Sequence, residues 1–321
     1  MGTAPPDDLG PLRGWLARQS PPVHLELACS EHPDPTPGSR KVTVVRLPRC
    51  TAGVAPHLLL ELLLVGAATV RVRRDGCGQP EVTTAHIARL AAVLAAGGQA
   101  DRLSIADVAG ASGPLHRRPV LEARTMPVAR RRLLLLPEPE PRALPEEHHT
   151  TQERLVAAVR ALVPSLADEA DREPGPGAAL QASGCTACGI CVRGCPEDAL
   201  RLEEEAEPLS AIARGTATHA LSHLPARCAD SGECVQLCPV DALLRTGSSG
   251  WTALLDDRPV ALARVATTAC ARCRAIIPAA DAPVCAPCEH RRQNPFRTAL
   301  PPGLADRLDA ATLTRLRGGA G

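Results

Sequence analysis

The feature that most constrains this 321-residue chain is a run of four cysteines, CTACGICVRGCPEDALRL at residues 185–202. Two residues separate Cys185 from Cys188 and Cys188 from Cys191; three more lead to Cys195, which is followed by Pro196. Three thiolates at this spacing can wrap one face of an iron–sulfur cubane, while the chain turns away at Pro196 and carries Cys195 elsewhere. Gly189 and Gly194 suit such a loop, because close backbone approach leaves little room for a β-carbon. Structural zinc sites do not use a cysteine triplet followed by Cys-Pro.

The pattern returns at residues 228–239 as CADSGECVQLCP, with Ser231 where the spacing requires cysteine. Cys191-Val, Cys195-Pro and Asp198-Ala-Leu200 are matched by Cys234-Val, Cys238-Pro and Asp241-Ala-Leu243, so the two stretches form an internal repeat. On these residues the segment 180–247 resembles the two-cluster bacterial ferredoxin family, which crosses its ligands between halves. The resemblance implies one [4Fe-4S] cluster on Cys185, Cys188, Cys191 and Cys238. It implies a second cluster on Cys195, Cys228 and Cys234. Three cysteines can hold a [3Fe-4S] cluster, or a [4Fe-4S] cluster completed by Ser231, Asp230 or solvent, and these alternatives stay open.

Aromatic side chains are nearly absent: two tryptophans, one phenylalanine and no tyrosine. Cores must be built from Leu, Val and Ala, and small modules then need metal staples. The net charge of +1 gives no global pull toward nucleic acid or membrane. The start MGTAPPDDLG lacks the basic and apolar regions of a secretory signal, so a cytoplasmic location is expected. In that reducing compartment fourteen cysteines read as metal or redox ligands rather than disulfides. The longest apolar stretch, HLLLELLLVGAATV, is too short to span a bilayer and carries Glu61, so no membrane insertion is expected.

The fold class expected is α/β plus α+β, with an open parallel sheet, a central ferredoxin-like module and a zinc-ribbon-like knuckle. Residues 1–20 are expected to form a Pro-rich segment with one short helix. Within 21–115, VHLELAC (23–29), KVTVVRL (41–47), TVRVRR (69–74) and DRLSIADV (101–108) read as strands. APHLLLELLLVG, with Pro56 in its first turn and Gly66 as cap, and TTAHIARLAAVLAAGG read as helices between them. Such alternation indicates a mostly parallel α/β sheet. Cys29, Cys50 and Cys77 each follow a strand, at the edge where such sheets form their site crevice. These cysteines, the Val-Val-Arg-Leu-Pro-Arg-Cys50 stretch with Gly53-Val54, and the glycines around Cys77 resemble the delta subunit of methyl-viologen-reducing hydrogenase. That resemblance implies a two-iron cluster and electron transfer to heterodisulfide reductase. The family's second cysteine near Cys29 is absent, with His32 close by, and so is its Cys-His-Tyr block. Cys29, Cys50 and Cys77 are therefore expected not to hold a stable cluster, and the domain to serve docking.

Residues 116–179 combine a basic stretch, a proline-rich linker LPEPEPRALPEE, and a helix TTQERLVAAVRALV opened by a Thr150-x-x-Glu153 capping box. The GPG at 175–177 is expected to end this region. Residues 248–296 carry WTALLDDRPVALARV, read as a β-hairpin around Asp256-Asp257, then Cys270-Ala-Arg-Cys273 and Cys285-Ala-Pro-Cys288. Two CxxC knuckles at this distance indicate a tetrahedral four-thiolate site; Zn2+ is expected, with a rubredoxin-type iron as the alternative, which the near absence of aromatic residues disfavours. The tail, 297–321, is expected to add one helix.

The function expected is single-electron relay between protein redox partners, as an electron-transfer protein or subunit of a larger oxidoreductase complex. Hydrogenase, formate dehydrogenase and heterodisulfide reductase complexes are the types considered. No P-loop, no GxGxxG after a strand and no C-x3-C-x2-C radical motif occurs, which argues against catalysis by this chain alone. The alternative is an iron–sulfur and zinc sensor or nucleic-acid-associated regulator. It ranks lower, because few aromatics are present for base stacking.

Overall fold

The computed structural model describes residues 9–106, 118–127, 150–163, 174–206, 215–256, 258–279, 283–294 and 307–313. The chain forms two compact units, Met1–Gly175 with Gly250–Asp256, and Pro176–Ser249 with Asp257–Gly321.

The first unit is built on a parallel sheet of β1 (Val23–Ala28), β2 (Val42–Arg46), β3 (Ala67–Arg73), β4 (Leu103–Ala106) and β5 (Leu121–Glu122). Their order is β4-β3-β1-β2-β5, and every pairing is parallel. Thr43, Val44 and Val45 are buried in succession, as in a strand covered on both faces. Helices α1 (Gly10–Leu16), α2 (Pro56–Val65), α3 (Pro80–Ala96) and α4 (Thr151–Leu162) complete the unit. Pro56 opens α2, and Gly66 closes it at φ 140, where a side chain would be strained. With apolar residues all round, α2 is buried along almost its whole length and packs against α1, α4 and β3. Each leucine so buried contributes about 1.5–3 kcal/mol relative to exposure. Its one acid, Glu61, is buried between Arg13 of α1 and Arg154 of α4, the latter at 2.8 Å. A buried carboxylate requires such partners, and this one ties three helices together. The Thr150–Glu153 capping box forms at the start of α4.

In the second unit β6 (Pro174–Ala182) pairs with β9 (Leu243–Gly250). Strands β7 (Leu200–Glu204), β8 (Ala217–His223), β10 (Val260–Ala269) and β11 (Ile276–Pro278) form an antiparallel sheet in the order β11-β10-β8-β7. Single-turn helices α5 (Ile190–Arg193) and α6 (Glu233–Gln236) lie in the two cysteine loops, and α7 (Ala286–Gln293) follows Cys285.

The parallel sheet and its helices agree with the sequence reading, with three differences. Trp251–Leu255 is a short helix instead of the first arm of a hairpin, and β10 takes β8 and β11 as partners. Trp251 and Leu254 are buried, a local core that a two-residue turn at Asp256 would forfeit. Leu121–Glu122, inside the basic stretch, adds an edge strand to β2, held by the Arg46–Glu122 ion pair. The GPG at 175–177 lies inside β6, where pairing with β9 overrides the turn preference of Gly and Pro, although the first unit does give way to the second within it. The proline-rich linker, most of the basic stretch and most of the tail lie outside the described residues. Among the described residues no helix is long and apolar enough to cross a membrane.

Candidate metal centres

The two cysteine loops share one backbone path. Ala187 (φ 53) and Asp230 (φ 57) are left-handed at equivalent positions, and Gly189 (φ 67) and Gly232 (φ 75) then open α5 and α6. Asp198 and Asp241 repeat a left-handed turn at φ 49. The Ala199 N–H donates to Cys195 Sγ at 3.3 Å, and the Ala242 N–H to Cys238 Sγ at 3.2 Å. Non-glycine residues at positive φ are uncommon, so the repeat of two such positions, with a glycine between them in each loop, is specific. In this register Ser231 occupies the position of Cys188.

Each loop closes on a cysteine from the other. Cys185, Cys188 and Cys191 line a cavity together with Cys238; Leu202, Leu221, Val240 and Leu243 wall it. Cys195 faces a second cavity, with Cys228, Ser231 and Cys234. Helices α5 and α6 pack on each other, and Gly194 permits the contact: a β-carbon there would stand 2.4 Å from Leu237 Cδ1. Burial pushes the Cys191 thiol up to about 11, reinforced by Cys188, Cys185 and Cys238. Burial, then Cys228 and Cys195, likewise raises Cys234. Crowded sulfurs that resist ionising alone suit a centre that supplies positive iron, and soft thiolates are its preferred donors.

The walls of the two cavities differ. Among the described residues no charged side chain lines the first, whereas Glu197, Asp230 and Arg245 line the second. Asp230 is committed to Arg245, which donates to its two carboxylate oxygens at 2.8 and 2.5 Å. Ser231 is exposed. His223, which sequence reasoning passed over, also lines the second cavity. It is 2% exposed, its Nε2 has no hydrogen-bond partner among the described residues, and burial lowers its pKa to about 4.

Two further groups bring donor atoms together. The sulfurs of Cys270, Cys273, Cys285 and Cys288 all lie within 4.8 Å of one another, with Cys273 and Cys285 at 3.6 Å. Backbone N–H groups of Cys273 and Cys285 pull the Cys270 thiol down to about 6, favouring a thiolate ligand. In the first unit Cys29, Cys50 and Cys77 converge as their places after β1, β2 and β3 suggested, and Glu31 joins them within the same 4.8 Å. Sequence reasoning singled out His32 instead, which is turned to Asp75 at 2.9 Å. The Cys29-x-Glu31 spacing was the available signal, because alternate residues leaving a strand end can return to one side.

No curated protein and no solved structure matches this chain. Residues 184–242 match the family described as 4Fe-4S dicluster domain. The segment carrying all seven cysteines of the paired loops is therefore a ferredoxin-type iron–sulfur domain, with an electron-transfer role.

Proposed function

We propose that this chain relays single electrons between protein redox partners through two unequal clusters, as a subunit or partner of a larger cytoplasmic oxidoreductase complex. The observation that carries the reading is the crossed lining of the two cavities. A [4Fe-4S] cluster on Cys185, Cys188, Cys191 and Cys238, and a second on Cys195, Cys228 and Cys234, would each draw on both loops. The packing of α5 on α6 would keep them close enough for an electron to enter at one and leave from the other. Bound clusters supply one-electron redox chemistry; the protein sets their potentials through ligands, hydrogen bonds and exposure.

Ser231 makes the second centre labile at one iron, so that it exchanges between three- and four-iron forms. Support comes from the commitment of Asp230 to Arg245, which leaves Ser231 or solvent to complete that corner. Asp198, Glu203, Glu204, Glu233 and Asp241 are exposed and would steer docking onto a basic partner surface. Cys270, Cys273, Cys285 and Cys288 hold zinc as a structural staple, because four protein thiolates leave no open position.

The test is anaerobic purification of the full chain. Iron of about seven or eight per chain, reduction by a low-potential donor and reoxidation by an acceptor protein are expected. Cys270→Ser should release zinc while the visible iron–sulfur spectrum survives. Iron near four per chain, or salt-dependent retention on DNA without electron transfer, would overturn the reading.

A further inference from the structure

We infer that the carboxyl-terminal edge of the parallel sheet holds a single zinc ion, ligated by Cys29, Cys50 and Cys77 and by the carboxylate of Glu31. The inference concerns the first unit and does not depend on the electron-relay reading.

Topology makes the site. Strands β3, β1 and β2 are adjacent and parallel, so the loops leaving them emerge side by side at one edge. Each of these loops delivers one cysteine, and the loop after β1 delivers Glu31 two residues later. All four donor atoms lie within 4.8 Å of one another; Cys50 Sγ and Cys77 Sγ are 3.6 Å apart, and Cys29 Sγ and Glu31 Oε2 are 3.8 Å apart. A tetrahedral zinc with Zn–S bonds of about 2.3 Å sets its sulfurs about 3.8 Å apart. The Cys50–Cys77 and Cys29–Glu31 separations already match the edges of such a tetrahedron, and the other separations lie within 4.8 Å. A two-iron cluster must place two ligands on each iron, and the rhomb between the irons drives the two pairs further apart than this group allows. The set is also wrong for that cluster, which takes four thiolates, whereas zinc accepts a carboxylate beside thiolates.

The surroundings hold the donors in place. The Gly78 N–H donates to Glu31 Oε2 at 2.5 Å, bending the carboxylate toward the loop of Cys77. A β-carbon at Gly78 would lie 2.7 Å from that oxygen, so a side chain there would push the carboxylate aside. The Thr51 hydroxyl lies 3.3 Å from Cys77 Sγ and 3.0 Å from the Thr83 hydroxyl, an outer layer of the kind that orients metal ligands. Four protein ligands leave no open position, so the ion is structural: it staples three strand ends across the crevice where an open α/β sheet would otherwise take a substrate.

The experiment uses the full chain, purified anaerobically with its clusters. Zinc is counted in wild type, Cys270→Ser, Cys50→Ser, Glu31→Ala and the Cys50→Ser/Cys270→Ser double variant. The expected result is about two zinc ions in wild type, about one in either single cysteine variant and none in the double. Glu31 is exposed, so Glu31→Ala carries the decision should Cys50→Ser fail to fold. Its circular dichroism should match wild type, while a chromophoric chelator removes one zinc at least about tenfold faster. Loss of zinc from Cys270→Ser alone, with Cys50→Ser and Glu31→Ala at wild-type content, would overturn the inference. So would a mass lower by two hydrogens from a Cys50–Cys77 disulfide, or about two extra irons lost with Cys50→Ser.

Discussion

The loops at residues 185–202 and 228–243 are two copies of one backbone with different chemistry at a single corner. Both carry left-handed residues before a helix-opening glycine, and both aim their last cysteine into the neighbour's cavity. One presents Cys188 to an apolar cavity; the other presents Ser231 to a cavity bordered by Glu197, Asp230, Arg245 and His223. The fold of a cluster loop therefore does not need its complete thiol set, because turns and backbone hydrogen bonds shape it. On the proposed two-cluster reading, the missing thiol would change how tightly one iron is held.

The largest expected effect tests whether the halves are separate centres. Cys191→Ser should empty the first cavity and Cys234→Ser the second, each with loss of about three to four irons. Loss of all iron from both variants would break the comparison, by showing one cooperative unit in place of two sites. A smaller change follows from exchanging the differing corner. Air-oxidised wild type should show the electron-paramagnetic signal of an oxidised three-iron cluster. Ser231→Cys should abolish it and add about one iron, and Cys188→Ser should confer a second such signal. A wild-type spectrum of two intact four-iron cubanes would erase the distinction.

Smaller still is the contribution of the walls. His223 is held neutral by burial, so its ring can donate one N–H without carrying charge. A donor near cluster sulfur stabilises the reduced, more negative state. His223→Leu should therefore lower the potential of the second centre by on the order of tens of millivolts and leave the first unchanged. Equal shifts in both would remove His223 from the comparison. The least effect is expected from Asp230→Ala. With its carboxylate engaged by Arg245, its loss should leave iron content and the three-iron signal as in wild type. A changed signal would make Asp230 a ligand after all.

Much of this was legible in the chain itself. The triplet spacing with Cys-Pro, the repeat of Asp-Ala-Leu and the Ser231 departure describe both loops, because local turns depend on neighbours a few residues apart. Helix α2 was legible for a similar reason: Pro56, an unbroken apolar run and Gly66 mark its ends and its burial. The edge strand Leu121–Glu122 was not, because two residues inside an arginine-rich stretch carry no periodicity and gain their pairing only from β2. The helix at Trp251–Leu255 was missed because a strand-like pattern yielded to the burial of Trp251 and Leu254.

The sequence by itself determined the cysteine spacings, the two CxxC knuckles, the α/β alternation and the cysteines at strand ends, all of which are written in short-range order. Tertiary structure alone decided that Glu31 rather than His32 meets Cys29, Cys50 and Cys77. It likewise engaged Asp230 with Arg245 and put His223, whose Nε2 has no partner among the described residues, against the second cavity. These are contacts between segments far apart in the chain or side-chain directions set by packing. Spacing records neither, because a residue's local preferences are indifferent to which distant group will face it.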